Sequence, residues 1–575
     1  MRKNKDKESK SRRVLSEMMV KAMTVKGHHD LKRMHRNTID ARSKNEKLLM
    51  HILDVNKYSV YGMKYGFEDI KSAEEYKKKL PYTTFDDYED YIVQMIDNDK
   101  KSLITSLKLV GYAQSSGSVG NRKFVPITQP EVNVYTRYTV TRMLALADDY
   151  HKKNRKKGNG ASGDMKYFRG MFTCPSFDDR FPNGMLCSNI ADVAAKQLGF
   201  IYPYILNTPF RKQFTEQEVD SKYINLRFSL EEKDTMYMFC VFFREITSYI
   251  DFLENNWETM VDDIEHGTVS EISHATPEAL KKLSKVLKPN PERAAELRTE
   301  FEKGFDETII KRIWPNMSVI CGIGTSTFEP FAELARKYTK GIPFDFSIYG
   351  ASEGLFAAVD ELDSGKQLLL IDSCYYEFIP QDTDDESITL SVDELEIGKE
   401  YEIVITNQAG LYRYRCGDVI KVVDKMNDCP YIQFSLRKGQ LLNITGEKTT
   451  EEHMAAVVNL LKEEAGCEII NWTVYNDLDK HPYHYVLLLE NDSGIDMKKY
   501  EDFAHQKLCE VNPRYAYFTA ISGMGRMTVE NQEPGTQKAW AAMQISKGVS
   551  SAQVKPVRIL DTPVKEEFFK NRIKH

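Results

Sequence analysis

Four short stretches of the chain hold residue types that do chemistry on anions and nucleotides. The first is Ser115-Ser116-Gly117-Ser118-Val119-Gly120-Asn121-Arg122-Lys123, directly after the strand-like run Leu107 to Gln114. Glycines let a backbone turn until successive N–H groups converge on phosphate oxygens, the serine hydroxyls add donors, and Lys123 supplies positive charge. The pattern GxxxxGK[ST] cannot be laid on it, so it reads either as an anion cradle of another type or as an ordinary Ser/Gly turn. The second stretch, Tyr349-Gly350-Ala351-Ser352-Glu353, follows the apolar run Phe344 to Ile348. Residues 350 to 354 match GxSxG, which would make Ser352 a hydrolase nucleophile. In the competing reading Glu353 is a hard oxygen ligand for Mg2+ beside a nucleotide whose base meets the face of Tyr349. The third, Gly410 to Asp418 (GLYRYRCGD), places Asp418 behind a glycine at an expected strand end. There its carboxylate either accepts two hydrogen bonds from a ribose diol or caps a hairpin turn. The fourth is late, Gly548 to Arg558 (GVSSAQVKPVR), with Lys555 in a polar strand or loop. Alone, Lys555 reads as a solvated lysine.

These stretches need a scaffold, and the composition supplies one. The 575 residues are 41% apolar and 29% charged, close to globular averages, which excludes disordered and fibrous chains. Length alone suggests about four domain-sized units. Lys and Arg number 79 against 85 Asp and Glu, a formal charge of -6, so no global field draws the chain to nucleic acid or anionic lipid. The longest uncharged apolar runs, such as Met236 to Phe243, fall far short of the ~20 residues that cross a bilayer. The N-terminus is basic without an apolar h-region, so it is not a secretory signal, and a cytoplasmic protein is expected. Nine cysteines with no CxxC pair argue against a disulfide framework and a structural zinc site.

Residues 11 to 105 carry apolar positions at helical spacing, as in Leu48, Leu49, Ile52 and Leu53. The middle alternates β-branched and aromatic runs with helical stretches, Tyr237 to Phe243 before Tyr249 to Ile264 for example, which predicts an α/β architecture. After residue 365 closely spaced strands are expected at Gln367 to Ile371, Ser387 to Leu390, Glu402 to Thr406, Val419 to Val423 and Tyr431 to Phe434, a β-rich subdomain. From about 440 a helix (Thr450 to Glu464), two strands (Glu468 to Val474, Tyr483 to Leu489) and a helix (Met497 to Val511) predict a small α+β domain. Gly158, Gly160 and Gly163 have GxGxxG spacing, but a basic run precedes them and a polar linker follows, so a surface loop is predicted in place of a dinucleotide site.

The motifs occur in the order of adenylate-forming enzymes: a Ser/Gly loop, Tyr-x-x-Ser-Glu, Tyr-Arg-x-Gly-Asp, and a late lysine. The chain resembles the acyl acid amido synthetases of the auxin-responsive (Gretchen Hagen) family within the firefly-luciferase-like adenylating superfamily. The likeness also takes in Pro81 to Ile92 (PYTTFDDYEDYI), Phe252 to Gly267, Trp314 to Met317 (WPNM), Tyr376 to Pro380 (YEFIP) and Tyr401 to Val422. The resemblance implies a large multi-lobed adenylating domain over 1–436, a hinge at 437–440 marked by Arg437 and Lys438, and a small mobile domain over 441–575. It implies ATP and Mg2+ as cofactors, Ser115, Ser116, Gly117, Ser118 and Lys123 on the phosphates, Tyr349, Gly350, Ala351 and Ser352 along the adenine, Glu353 on Mg2+, Asp418 on the ribose, Arg437 also among the cofactor-binding residues, and Lys448 and Lys555 as catalytic lysines. The chain departs from the family pattern in three ways. Ser118 replaces a Thr, the loop is one residue shorter than the plant form, and Lys555-Pro556-Val557-Arg558 replaces the order Lys-x-Pro-Arg. The implied substrates are a small carboxylic acid and an amine, most simply an amino acid. No nucleic acid or membrane partner is expected, and a monomer is. Two alternatives stand beside this: an acyl-CoA or acyl-carrier ligase on the same fold, and an α/β-hydrolase using Ser352.

Overall fold

Helical periodicity in the N-terminal segment is met in the computed structural model by helices over Arg2–Asn37, Ala41–Asn56, Val60–Lys64, Ala73–Lys79 and Asp86–Asp97. The structure describes all residues except 1, 98–99, 116–122, 157–167, 174–175, 177, 211, 326–328, 382–387, 438–441, 443, 445–446, 448, 481, 522–523, 548, 550–553, 561 and 575. For 2–13, 115, 154–156, 242, 244, 330–331, 436–437, 514, 517–518 and 521 it describes the backbone alone. The chain divides into two compact units, one built from Met1–Ser115, Lys123–Cys416 and Ile420–Phe434, the other from Gly417–Val419 and Ser435–His575.

Among the described residues, the first unit holds three sheets. One is the antiparallel hairpin of Leu109–Ser115 and Lys123–Thr128, in which Ser115 lies opposite Lys123, extended by the short parallel strand Cys187–Ser188. The second is parallel throughout, in the order Arg169–Phe172, Thr235–Phe242, Val319–Ile323, Phe344–Asp345. Its strands are near-continuous apolar runs because helices such as Phe243–His266 pack on the sheet and leave little of it to water. Trp314 is fully buried there and donates its Nε1–H to the Ser229 carbonyl at 2.6 Å.

The third sheet has seven strands, ordered Tyr375–Pro380, Glu400–Thr406, Tyr414–Met426, Cys429–Arg437, Gln367–Leu369, Gly354–Ala358, Ile348–Ala351. This is the β-rich region expected after residue 365, with one correction. Among the described residues of the expected strand 387–390 only Leu390 pairs, with Phe378. Ile388 is left 43% exposed. One hydrophobic core gathers Tyr112, Ala113 and Val125 from the first hairpin, Tyr349 and Leu355 from the last two strands, and Leu411, Tyr412 and Tyr414 from the GLYRYRCGD segment. The strands bearing the first three motifs are therefore rooted in common packing.

The second unit is α+β. Antiparallel Ile469–Asp477 and His484–Asn491, with Thr528–Gln532 parallel to the latter, form its sheet. The helices Glu451–Ala465 and Glu501–Val511 bury Met454, Val457, Leu461, Ala504 and Leu508 in the core that this sheet shares. No helix among the described residues is long and apolar enough to cross a membrane.

Candidate functional site

Strands Ile348–Ala351 and Gly354–Ala358 pair antiparallel with Ala351 opposite Gly354, leaving Ser352 and Glu353 as the two residues of the connecting turn. That geometry corrects the hydrolase reading. A nucleophile elbow is a strand-to-helix turn, whereas Ser352 joins strand to strand. Gly350 is required by space, since a Cβ there would stand 2.8 Å from the Gly354 carbonyl oxygen. The Tyr349 ring lies buried, edge-on to Phe356 at 5.5 Å and tilted against Phe434 at 5.9 Å.

Buried polar side chains hold this hairpin at base and tip. At the base, Asp345 accepts Arg142 Nη2 on both carboxylate oxygens at 2.9 Å, and both residues are fully buried. Asp345 also accepts the Ser347 N–H at 2.9 Å, and Arg142 Nη1 donates to the Val359 carbonyl at 3.1 Å, so one guanidinium spans the two chains that enter and leave the hairpin. At the tip, Asn407 Nδ2 donates to the Glu353 carbonyl at 2.7 Å. The Tyr414 hydroxyl donates to Glu353 Oε1 at 3.3 Å. Glu353 is 7% exposed. A carboxylate fixed in this way is a hard oxygen donor of the kind Mg2+ takes, so the residue fits the implied metal.

The GLYRYRCGD segment enters through Gly410, which has a φ of 103° and where a Cβ would stand 2.7 Å from the Ile104 carbonyl oxygen, so only glycine fits. Its two arginines are structural. Arg413 makes a two-pronged bond to Glu377 at 3.0 and 2.7 Å, and Arg415 another to Glu402 at 2.8 and 2.7 Å. Main-chain bonds tie Thr83 to both flanks, from Thr83 N to the Arg413 carbonyl at 3.0 Å and from Arg415 N to the Thr83 carbonyl at 2.9 Å. The Arg413 guanidinium covers the Tyr82 ring at 4.3 Å. Asp418 is buried, 4% exposed, and lies inside the strand Tyr414–Met426, not at a strand end. The strand begins at Tyr414, five residues before the expected start at Val419, and runs on through Gly417, which takes a φ of 76° that most residues avoid.

Of the other expected site residues, Ser115 and Lys123 face each other across the hairpin, and the Lys123 ammonium stands 5.2 Å from the centre of the Phe85 ring. Ser116, Gly117, Ser118, Lys438 and Lys448 lie outside the described residues, as do Gly158, Gly160 and Gly163. Arg437 closes the strand Cys429–Arg437 and its side chain is also outside. Lys555 is exposed on an extended segment of the second unit. That segment is anchored by Val557, whose carbonyl accepts from Thr473 Oγ1 at 2.9 Å and from Gln537 Nε2 at 2.8 Å, and by Arg558, which donates to the Trp472 carbonyl at 2.8 Å. Burial raises the Glu451 carboxyl above the usual range, against the pull of Arg558 and Lys555 nearby. Sequence reasoning passed over Asn407 and the role of Tyr414. Tyr414 stood within a recognised motif, and an Asn three residues before a glycine turn is a detectable turn signal.

The N-terminal, central and C-terminal domains of the GH3 family match residues 30–344, 367–437 and 451–564. An indole-3-acetic acid-amido synthetase, GH3.8 of Oryza sativa subsp. indica, is 26% identical over 564 residues, 93% of this chain and 91% of the relative. A 4-substituted benzoates-glutamate ligase, GH3.12 of Arabidopsis thaliana, is 26% identical over 570 residues, 92% of this chain and 96% of the relative. The structure of the AtGH3.15 acyl acid amido synthetase in complex with 2,4-DB superposes with a TM-score of 0.79 at 22% identity, covering 96% of each chain. That last likeness is one of fold.

Proposed function

Because the chain belongs to the GH3 family, we propose that it is an ATP-dependent ligase that activates a carboxylic acid as an acyl adenylate and passes the acyl group to an amine, most simply an amino acid. The observation that carries this reading is the match of all three family domains, in order, along one chain. The buried and doubly held Glu353 adds local support.

A carboxylate oxygen of the acid attacks the α-phosphorus of ATP, and the bond from that phosphorus to the bridging oxygen breaks to release pyrophosphate. The amine nitrogen then attacks the acyl carbon, AMP leaves with the bonding pair, and the amine gives up a proton. Mg2+ bound at Glu353 would neutralise charge on the phosphoryl oxygens during the first step. Ser115, Ser116, Gly117, Ser118 and Lys123 hold the phosphates, Tyr349 to Ser352 border the base, and Asp418 accepts from the ribose hydroxyls. Lys555, with Lys448 assisting, stabilises charge that builds during adenylation. Residues 437–440 act as the hinge between a domain of 1–436 and one of 441–575, and the reaction takes place in the cytoplasm.

The direct test is AMP release across a panel of small carboxylic acids, with and without amino acids. Release that needs both substrates supports the ligase. Release driven by CoA and indifferent to amino acids would assign the chain to the acyl-CoA ligases. Asp418→Ala is expected to weaken ATP binding by about 1.5 to 3 kcal/mol, the worth of hydrogen bonds to a charged acceptor. Unchanged affinity by calorimetry would remove Asp418 from the ribose.

A further inference from the structure

Asn407 uses both ends of its side chain. Its Oδ1 accepts from Ala409 N at 3.1 Å and Leu411 N at 3.0 Å, which shapes the turn before the GLYRYRCGD strand. Its Nδ2 donates to the Glu353 carbonyl, in the hairpin turn 54 residues earlier. We infer that Asn407 is a positioning residue for nucleotide binding, a side-chain tie that keeps the turn of Ser352 and Glu353 in register with the segment leading to Asp418. This inference rests on the nucleotide reading of Glu353 and Asp418 given above.

The local turn by itself does not call for Asn. Shaping it takes only an acceptor, which Asp or Ser also offers. The bond to Glu353 takes a donor on the same planar group, and the amide has both. Asn407 is 1% exposed, so water does not replace a lost bond. Tyr414 repeats the connection from the same segment, donating to the Glu353 carboxylate at 3.3 Å. Main chain and side chain of Glu353 are thus both referenced to residues 407–414. Both contacts end on Glu353, which the reading above assigns to the nucleotide's metal, so the effect is expected on MgATP.

Asn407→Asp is the sharpest test. It preserves shape and the turn acceptor while setting a second acceptor against the Glu353 carbonyl. Asn407→Ser is its neutral companion, keeping a hydroxyl acceptor for the turn but too short to span to Glu353. For both, the dissociation constant of MgATP by calorimetry should rise about tenfold or more, with KM for ATP following. KM for the acid should stay within about twofold, while the melting midpoint should fall modestly in Asn407→Ser, which strands the buried Glu353 carbonyl, and further in Asn407→Asp, which also buries a carboxylate. MgATP affinity at the wild-type value in both variants would overturn the inference. So would an equal loss of both KM values together with the melting midpoint, or failure of both variants to fold, since each outcome makes Asn407 a general stability residue. Glu353→Gln is measured in parallel. Loss of MgATP affinity there but not in the Asn407 variants defeats this inference alone, while indifference of all three defeats the nucleotide reading beneath it.

Discussion

Glu353→Gln should reduce pyrophosphate release at subsaturating Mg2+ by about a hundredfold or more, with little change in melting midpoint. The local bonds predict that separation. Asn407 binds the main-chain carbonyl of Glu353, which the substitution leaves in place. The Tyr414 hydroxyl donates to a side-chain oxygen that glutamine also possesses. The hairpin below the turn is fixed by Arg142 and Asp345, with no involvement of Glu353. What glutamine lacks is the negative charge, and Mg2+ favours anionic oxygen over amide oxygen. Charge stabilisation by a bound metal is worth several kcal/mol in the transition state, and each 1.36 kcal/mol is tenfold in rate, hence the expected size. Raising Mg2+ should restore part of the rate, because a weakened site refills by mass action. Wild-type pyrophosphate release at subsaturating Mg2+ would remove Glu353 from the metal role.

Much of the scaffold was legible because local pattern and tertiary environment agree. The α/β alternation around Tyr237 became a buried parallel strand followed by a long helix, since a strand covered on both faces is written as a continuous apolar run. Three of the resemblance segments turn out to share one polar framework. Tyr82 and Thr83 of the PYTTF stretch, Glu377 of YEFIP, and Arg413 and Arg415 of GLYRYRCGD meet in ion pairs, main-chain bonds and ring contacts. Such a framework explains why motif residues that look catalytic in a sequence serve support: Arg413 and Arg415 are committed to Glu377 and Glu402. What escaped reading depends on register across long separations. Asn407 and Glu353 stand 54 residues apart and meet only through the tertiary fold, and nothing within a few residues of either announces the pair. Asp418 was misplaced to a strand end because a Gly-Asp pair usually signals a turn, whereas here the glycine is absorbed inside a long strand. Ser352 kept a GxSxG pattern whose meaning is decided by whether a helix or a strand follows.

Lys555→Ala should lower the rate of acyl adenylate formation by roughly 100-fold or more and change ATP affinity little, because a group that answers charge developed in the transition state contributes to kcat and not to ground-state binding. The fold should not suffer. Lys555 is exposed, while the segment that carries it is fastened by Val557 to Thr473 and Gln537, and by Arg558 to Trp472, bonds an alanine at 555 leaves intact. Glu451 retains the Arg558 charge at 3.7 Å after Lys555 is gone. The second half-reaction should survive. If the late lysine serves adenylation alone, a synthetic acyl adenylate supplied to the variant is converted to amide at close to the wild-type rate, since aminolysis builds its charge on the acyl carbonyl oxygen and the departing AMP and not on pyrophosphate. Loss of both half-reactions with a normal melting curve would mean that Lys555 is not specific to adenylation. Retention of both would place the role on another lysine, Lys547 or Lys448, and would show that the Lys-Pro-Val-Arg order of this chain does not align its lysine with the Lys-x-Pro-Arg of the family.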